Sequence, residues 1–212
     1  YEKSKQQYQR LEEIAEISSY KLQAMDGLMQ SYFALSQFDS AIICANKLLS
    51  LDKLDEAVRE RANYTLAKSL LANQNTGQAI EEFKRLTKAK NPEYAAEAQY
   101  TLAELNFMAG KIDEAEKIIH QINANPSSEY YLAKAFILWA DIFKSKGNTL
   151  QAKQTLQSII DNYEGDEELI ETARQKLISL TMQQEKTQQE KQEKRQEQQE
   201  AVDEIIIVDE PR

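Results

Sequence analysis

The chain has 212 residues, a formal net charge of −9, and only 5 Gly and 3 Pro. Glycine and proline make up about 12% of an average protein, and an all-β sandwich or barrel needs many turns built from them. The composition therefore predicts a mostly helical protein. Its acidic charge makes nucleic acid and anionic membranes poor partners, because phosphate groups carry the same sign.

Neither a membrane span nor a disulfide is predicted. No apolar run approaches the roughly 18 residues that cross a bilayer, and Cys44 is the single cysteine. The chain begins with tyrosine rather than methionine, and no signal-peptide pattern follows. We therefore expect an excised or processed part of a longer protein.

The first predicted element, residues 1–18, carries Tyr1, Ser4, Tyr8 and Leu11 at helical spacing. Ser4 lies 37 residues before Ala41, and similar distances recur later in the chain. The segment is therefore predicted to be the second helix of a repeat whose first helix precedes the chain.

Residues 19–163 contain four similar frames, whose central alanines are 38, 36 and 37 residues apart. Apolar residues follow each alanine four and seven positions later, which predicts an amphipathic helix. Another amphipathic segment precedes each of these helices across a short polar turn, so each frame is a helix pair. The predicted core triplets are Ala41/Ala45/Leu48, Ala79/Phe83/Leu86, Ala115/Ile119/Ile122 and Ala152/Leu156/Ile159.

The few glycines fall at particular positions of this repeat pattern. Gly110, Gly147 and, less tightly, Gly77 fall in the turns within helix pairs, where a left-handed residue easily ends a helix. Gly27 falls inside a predicted first helix, where we expect it to allow close packing.

Helix pairs at this period resemble the tetratricopeptide repeat family, which has a 34-residue pattern with Leu and a small residue in the first helix and Ala in the second. The Leu position holds Leu28, Leu66, Leu102 and Trp139, and the small position holds Ala67, Ala103 and Ala140 in three repeats. The resemblance covers roughly residues 20–163. It implies an all-α fold, a right-handed α-solenoid of antiparallel helix pairs with about four full repeats, a partial N-terminal repeat and a capping helix.

Two further segments follow the repeats. Residues 164–182 predict the capping helix, with Leu169, Ala173, Leu177 and Leu180 on one face. Residues 183–202 form a Gln/Glu/Lys-rich stretch that is either a disordered linker or a solvated extension of that helix.

Residues 203–212 form an acidic tail with a β-branched core of Ile205, Ile206, Ile207 and Val208. An apolar, β-prone run on a polar linker favours strand addition to the edge of a partner's sheet. The alternatives are packing on a nearby helix, or a sticky segment that its acidic neighbours keep soluble.

No catalytic residue, metal site or cofactor is predicted. His120 and Cys44 are the only histidine and cysteine, too few for a zinc site of that type, and no nucleophile motif lies near His120. Cys44 is expected to be a small buried hydrophobe. Paired acids such as Glu81 and Glu82 are typical of a solvated face, although they leave a two-carboxylate hydrolase open.

The family resemblance further implies that the first helices line a concave surface that holds a protein or peptide partner. Aromatic side chains on such a surface are good anchors, or they complete the packing between neighbouring first helices. Helical offset also directs Arg61, Glu97 and Lys134 toward this surface. The predicted groove residues are Asp26, Gln30, Phe33, Tyr64, Lys68, Leu71, Tyr100, Glu104, Phe107, Met108, Ile137, Asp141 and Lys144.

One tetratricopeptide subclass grips a C-terminal carboxylate with Lys and Asn at positions that match Tyr64, Lys68, Tyr100 and Glu104 here. The Asn residues are missing and Glu104 adds an acid, so a carboxylate clamp is disfavoured. A short amphipathic or extended peptide suits the mixed, aromatic-lined groove better.

The predicted function is a non-catalytic interaction scaffold that uses its concave surface and its tail. The alternatives are a structural capping segment of a longer array in an envelope assembly complex, and an enzyme subunit. Residues 130–177 resemble tetratricopeptide repeat proteins of Gram-negative cell envelopes, those of outer-membrane assembly and periplasmic cell division. This resemblance implies a periplasmic or outer-membrane-associated location, with the cytoplasm as the alternative.

Overall fold

The computed structural model describes residues 1–14 and 18–208, with side chains for residues 1–12 and 20–196. These described residues form helices and no strand. Two compact units make up the chain, residues 1–135 and 136–212. The helices are α1 (Glu2–Ile14), α2 (Ser18–Ala34), α3 (Phe38–Leu49), α4 (Glu56–Ala72), α5 (Thr76–Leu86), α6 (Pro92–Met108), α7 (Ile112–Ala124), α8 (Glu129–Ser145), α9 (Thr149–Asn162) and α10 (Glu167–Val208).

The second helices α3, α5, α7 and α9 carry the predicted core. Every member of the four predicted triplets is at most 3% exposed, so the prediction is confirmed. Each triplet begins with an alanine, which lets the neighbouring helix approach closely, and ends with a larger apolar side chain that fills the space beside it. The spacing of four and three residues keeps all three side chains on one face of the helix.

The first helices of unit 1 are aligned by a second set of alanines. Ala24, Ala62, Ala98 and Ala135 stand at equivalent positions of α2, α4, α6 and α8, and each is 0% exposed. Within unit 1, α2 packs on α1, α3 and α4, while α6 packs on α5 and α7. This order of neighbours is the pattern of an α-solenoid, in which each helix pair contacts the pair before and after it.

The turn inside each helix pair has one backbone conformation. Ser36, Gln74, Gly110 and Gly147 have φ angles of 57°, 63°, 73° and 77°. Each donates its N–H to the carbonyl three residues back, and the following N–H reaches the carbonyl five residues back, as in a Schellman motif. The predicted turn glycines 110 and 147 are thus confirmed. The prediction for Gly77 is wrong. Gly77 lies in the first turn of α5, and the left-handed position of the preceding turn is held by Gln74.

The first helices α4 and α6 begin at capping side chains. Asp55 accepts hydrogen bonds from the N–H groups of residues 57 and 58, and Asn91 does the same for residues 93 and 94. Glu60 is 9% exposed, and its carboxylate accepts hydrogen bonds from the backbone N–H groups of Lys90 and Asn91 at 2.5 and 3.1 Å. One buried acid on α4 therefore fixes the loop that leads into α6.

Helix α1 packs on α2 through Tyr8 and Gly27. A Cβ atom built on Gly27 would lie 2.3 Å from Cζ of Tyr8, so the tyrosine ring occupies the space that any side chain at Gly27 would need. The close-packing role predicted for Gly27 is confirmed. Tyr1, predicted on the same face as Tyr8, is instead 76% exposed because it precedes the first residue of α1.

In unit 2, α10 packs on α9. Of the predicted capping face, Ala173 and Leu180 are 0% and 5% exposed, while Leu169 and Leu177 are partly exposed. Asp166 begins α10 by accepting the N–H of Leu169 at 3.0 Å. The same helix continues through the polar stretch, and the side chains of residues 183–196 are exposed.

The tail is described only in part. The backbone of Ile205–Val208 forms the end of α10, while the side chains of these four residues lie outside the described set. Residues 15–17 of the first predicted segment and residues 209–212 of the tail also lie outside it. Among the described helices, none combines the length and apolar character needed to cross a lipid bilayer.

Candidate partner-binding surface

The predicted groove residues of unit 1 lie on α2, α4 and α6, and we call this surface the first-helix face. It comprises Asp26, Gln30, Phe33, Tyr64, Lys68, Leu71, Tyr100, Glu104, Phe107 and Met108. Its members separate into two groups. One group bonds to the neighbouring first helix, and the other lies at the C-terminal ends of the helices.

The first bridge joins α2 to α4. Arg61 donates Nε to Oδ1 of Asp26 at 3.0 Å and Nη2 to Oδ2 at 2.5 Å, a two-point contact that fixes both side chains. The hydrogen bond to Asp26 and the aspartate's charge raise the pKa of Arg61 against the opposing effect of burial. Asp26 is therefore paired within the chain.

The second bridge centres on Glu97 of α6. Its carboxylate accepts hydrogen bonds from two residues of α4, the Tyr64 hydroxyl at 2.7 Å and Nζ of Lys68. It accepts a further hydrogen bond from the hydroxyl of Tyr131 on α8. The ring of Tyr64 stacks on Tyr94 at a centroid distance of 4.4 Å and an interplanar angle of 13°. One carboxylate, 13% exposed, thus joins three first helices of unit 1.

The electrostatics of this cluster favour an ionised Glu97. Burial alone raises the pKa of Glu97, but the hydrogen bonds from Lys68, Tyr64 and Tyr131 and the charge of Lys68 outweigh it, so the pKa is lowered. Burial and the bond to Glu97 raise the pKa values of Tyr64 and Tyr131. At neutral pH the tyrosines are therefore protonated donors to an ionised carboxylate.

The third bridge joins α6 to the start of α8. Nζ of Lys134 lies 4.3 Å from the ring centroid of Tyr100, within the range of a cation–π contact. The Tyr100 ring lies 6.0 Å from that of Tyr131, and its hydroxyl donates to Oε1 of Glu104 at 2.7 Å. Tyr100 is 8% exposed, so the structure places it in the packing between helices.

The three bridges follow one rule of position. Asp26, Tyr64 and Tyr100 occupy equivalent sites, and each contacts a residue 33 to 35 positions later, near the start of the next first helix. The structure shows Tyr64 and Tyr100 in packing contacts between neighbouring first helices, and their role as anchors for a partner stays a prediction.

The second group forms an apolar row at the C-terminal ends of the first helices. Phe33, Leu71 and Phe107 stand at equivalent positions of α2, α4 and α6, and each is partly exposed. Met108 extends the row and is 76% exposed. Gln30, one turn before Phe33, is exposed beside it. An exposed row of this kind can hold apolar side chains of a partner.

The three predicted groove residues of unit 2 have different environments. Ile137 is 9% exposed and belongs to the core. Asp141 accepts both of its hydrogen bonds from Nζ of Lys176 on α10, at 2.7 and 2.8 Å. Lys144 is exposed. The predicted groove residues are therefore partly core, partly paired and partly accessible.

The geometry also bears on the carboxylate clamp, the cysteine and the metal site considered in the sequence analysis. Lys68, the cation at a clamp position, is bonded to Glu97, so its charge is already compensated within the chain. Cys44 packs beside the core, and burial raises the pKa of its thiol. Within the part of the chain that the structure describes, no group of three His, Cys, Asp or Glu side chains could hold a metal ion.

Three residues that shape this surface are not among the predicted ones: Tyr94, Tyr131 and Lys176. Tyr94 and Tyr131 are 37 residues apart, so the repeat period was a usable signal for them. Lys176 lies 35 residues after Asp141, the same spacing as Asp26 and Arg61. Opposite charges one repeat apart were therefore the signal for the ion pairs.

The comparisons with known proteins agree with this geometry. Two tetratricopeptide repeat family models match, over residues 70–137 and 129–165. No curated protein matches the sequence. The fold is similar to the crystal structure of BtubC (BKLC) from P. vanneervenii, with a TM-score of 0.62 and 13% identity over 100% of this chain and 91% of that chain. At this identity the likeness shows the fold alone. The matches identify tetratricopeptide repeats within residues 70–165, and the helix-pair geometry of the described residues is that of an α-solenoid.

Proposed function

We propose that the chain is a non-catalytic scaffold that binds a partner protein or peptide at the C-terminal end of its first-helix face. Tetratricopeptide repeats suggest a protein-interaction scaffold and are generally non-catalytic, which supports this class of function. The observation that carries the proposal is the row of Phe33, Leu71 and Phe107, partly exposed at equivalent positions of three helices, together with Met108, which is 76% exposed beside Phe107 in the chain.

The surroundings of the row define the partner's chemistry. Two polar members of the first-helix face are already bonded within the chain: Lys68 is paired with the opposite charge of Glu97, and Glu104 accepts the neutral hydroxyl of Tyr100 and keeps its own negative charge. A partner must gain its affinity mainly by burying apolar side chains against the row. We therefore propose an extended or amphipathic peptide with apolar anchors, as the partner, rather than a strongly charged one.

The test is selection of a displayed random-peptide library on the purified chain, followed by calorimetric titration of an enriched peptide. Met108→Glu places a charge in the row and should weaken binding at least tenfold, equivalent to about 1.4 kcal/mol. The matched control is Ile43→Glu, because Ile43 is 56% exposed on the second helix α3. Equal affinity for both variants and the parent would contradict the proposal.

A structural role is the second candidate, favoured by the three bridges between first helices. In that case this segment would stabilise the end of a longer array, and partners would bind elsewhere. The selection distinguishes the two, because a purely structural segment should enrich no peptide that depends on Met108.

An envelope location also belongs to the proposal, and it rests on the resemblance of residues 130–177 to envelope proteins. Cell fractionation of the tagged natural protein tests it. Recovery with the periplasm or the outer membrane is the expected result, and recovery with the cytoplasm would contradict it.

A further inference from the structure

A lysine-rich groove lies in unit 2, beside the polar part of α10. It has a volume of about 610 Å³, and its lining includes Lys144, Thr149, Lys186 and Lys191. Glu190 is the carboxylate in that lining. Among the described residues, none of the three lysines forms an ion pair. In a chain of net charge −9, this concentration of uncompensated lysines points to an acidic occupant.

The sequence of α10 supplies such a segment at its other end. Residues 183–196 carry four basic and three acidic side chains, whereas residues 197–210 carry six acidic side chains and no basic one. The acidic half also contains the apolar run Ile205–Val208. The acids are Glu197, Glu200, Asp203, Glu204, Asp209 and Glu210.

The acids from Glu200 onward cannot reach the groove of their own chain while α10 is intact. The helix runs unbroken from Glu167 to Val208, and a helix rises about 1.5 Å per residue. Glu204 therefore lies roughly 20 Å along the axis from Lys191 and still farther from Lys186. An acidic segment in the groove has to come from another molecule.

We propose that the α10 helices of two copies lie side by side in antiparallel orientation, so that the acidic half of each occupies the lysine groove of the other. Glu200 and Glu204 of one copy then come level with Lys191 and Lys186 of its partner. The same register brings Val208 beside Met182, which is 65% exposed. The contact is isologous, because each copy offers the same two surfaces, and it closes as a dimer.

Sedimentation velocity of the whole chain over a concentration series tests the dimer. The parent chain should form a reversible dimer that weakens at high salt, because the pairing is partly ionic. Lys186→Glu combined with Lys191→Glu should raise the dimer dissociation constant at least tenfold. Adding Glu200→Lys and Glu204→Lys to that variant should restore the dimer, since the same pairs form with reversed signs.

The matched control is Lys88→Glu combined with Lys111→Glu, which changes the net charge equally at exposed lysines of unit 1. This control should dimerise like the parent. Deletion of residues 203–212 should give a monomer. A chain that stays monomeric at all concentrations, or a dimer that neither the reversals nor the deletion weakens, would overturn the proposal.

Orientation is tested by disulfide formation between variants in a Cys44→Ala background. Mixing Gln183→Cys with Val208→Cys should give a cross-linked heterodimer, because the antiparallel register places these residues level with each other. Cross-linking of Gln183→Cys to itself instead would overturn the antiparallel arrangement.

Discussion

Glu97 illustrates how one carboxylate can organise several helices. It receives hydrogen bonds from Tyr64, Lys68 and Tyr131, and glutamine offers these three donors one acceptor oxygen with two lone pairs, so at least one donor loses its partner. An unsatisfied buried polar group costs about 1–3 kcal/mol. We predict that Glu97→Gln lowers the free energy of unfolding by that amount at neutral pH, measured by urea denaturation.

The control is Glu81→Gln. Glu81 is exposed and bonded to Lys84, and its pKa is also lowered by that hydrogen bond. A substitution at this exposed residue should change the free energy of unfolding far less than Glu97→Gln does. Similar losses of unfolding free energy for both variants would show that the Glu97 cluster stabilises the chain no more than an exposed surface pair does.

The pH dependence of this effect has a definite sign. The pKa of Glu97 is lower in the folded chain than in the unfolded one, where it is about 4.3. Its stabilisation is complete above the unfolded pKa and disappears as the pH falls through the folded pKa. The difference in stability between the parent and Glu97→Gln should therefore shrink below about pH 4. A constant difference down to pH 3 would contradict this interpretation.

Gly27 is the second residue with a specific prediction. Alanine would favour the helix by up to about 1 kcal/mol, but its Cβ would collide with the ring of Tyr8. We predict that Gly27→Ala displaces Tyr8 and speeds amide exchange in α1, while exchange in α4 and α6 is unchanged. In a Tyr8→Ala background the same substitution should be neutral or stabilising, and a cost that persists there would contradict the explanation.

At the scale of the element, the four turns share a geometry but not a residue type. Gly110 adopts φ 73° freely, whereas Gln74 adopts φ 63° with a side chain that disfavours it. We predict that Gly110→Ala destabilises the chain by about 1 kcal/mol and that Gln74→Gly stabilises it by several tenths, by urea denaturation.

Gly77→Ala is the control for the turn substitutions. Gly77 is helical and no atom lies within 4 Å of an added Cβ, so alanine should stabilise it through helix propensity. If Gly110→Ala were as favourable as Gly77→Ala, the left-handed turn would not be the source of the effect.

The contrast between triplets and bridges shows what the sequence could predict. The triplet Ala79/Phe83/Leu86 follows from helical period alone, because its three residues share one helix. The contact of Tyr64 with Glu97 depends on how far neighbouring first helices are offset, which no single helix encodes. The position of Gln74 was accessible, since it lies 36 residues before Gly110, but glutamine is not a turn residue by type.

At the scale of the whole molecule, the same repeat serves two purposes. Equivalent positions near the middle of the first helices build bridges, as Asp26 and Tyr64 do. Equivalent positions at their ends leave Leu71 and Phe107 partly exposed. Bridges of this kind hold neighbouring helices in fixed positions, so a partner meets a preorganised surface and loses less entropy on binding.

The central claim is that a partner binds this preorganised row, and methyl NMR of the chain with a selected peptide tests it most directly. The account predicts shift changes at the methyl groups of Leu71 and Met108, while those of Ile43 on α3 and Ile80 on α5 stay in place. Changes confined to the second helices α3, α5 and α7 would contradict it.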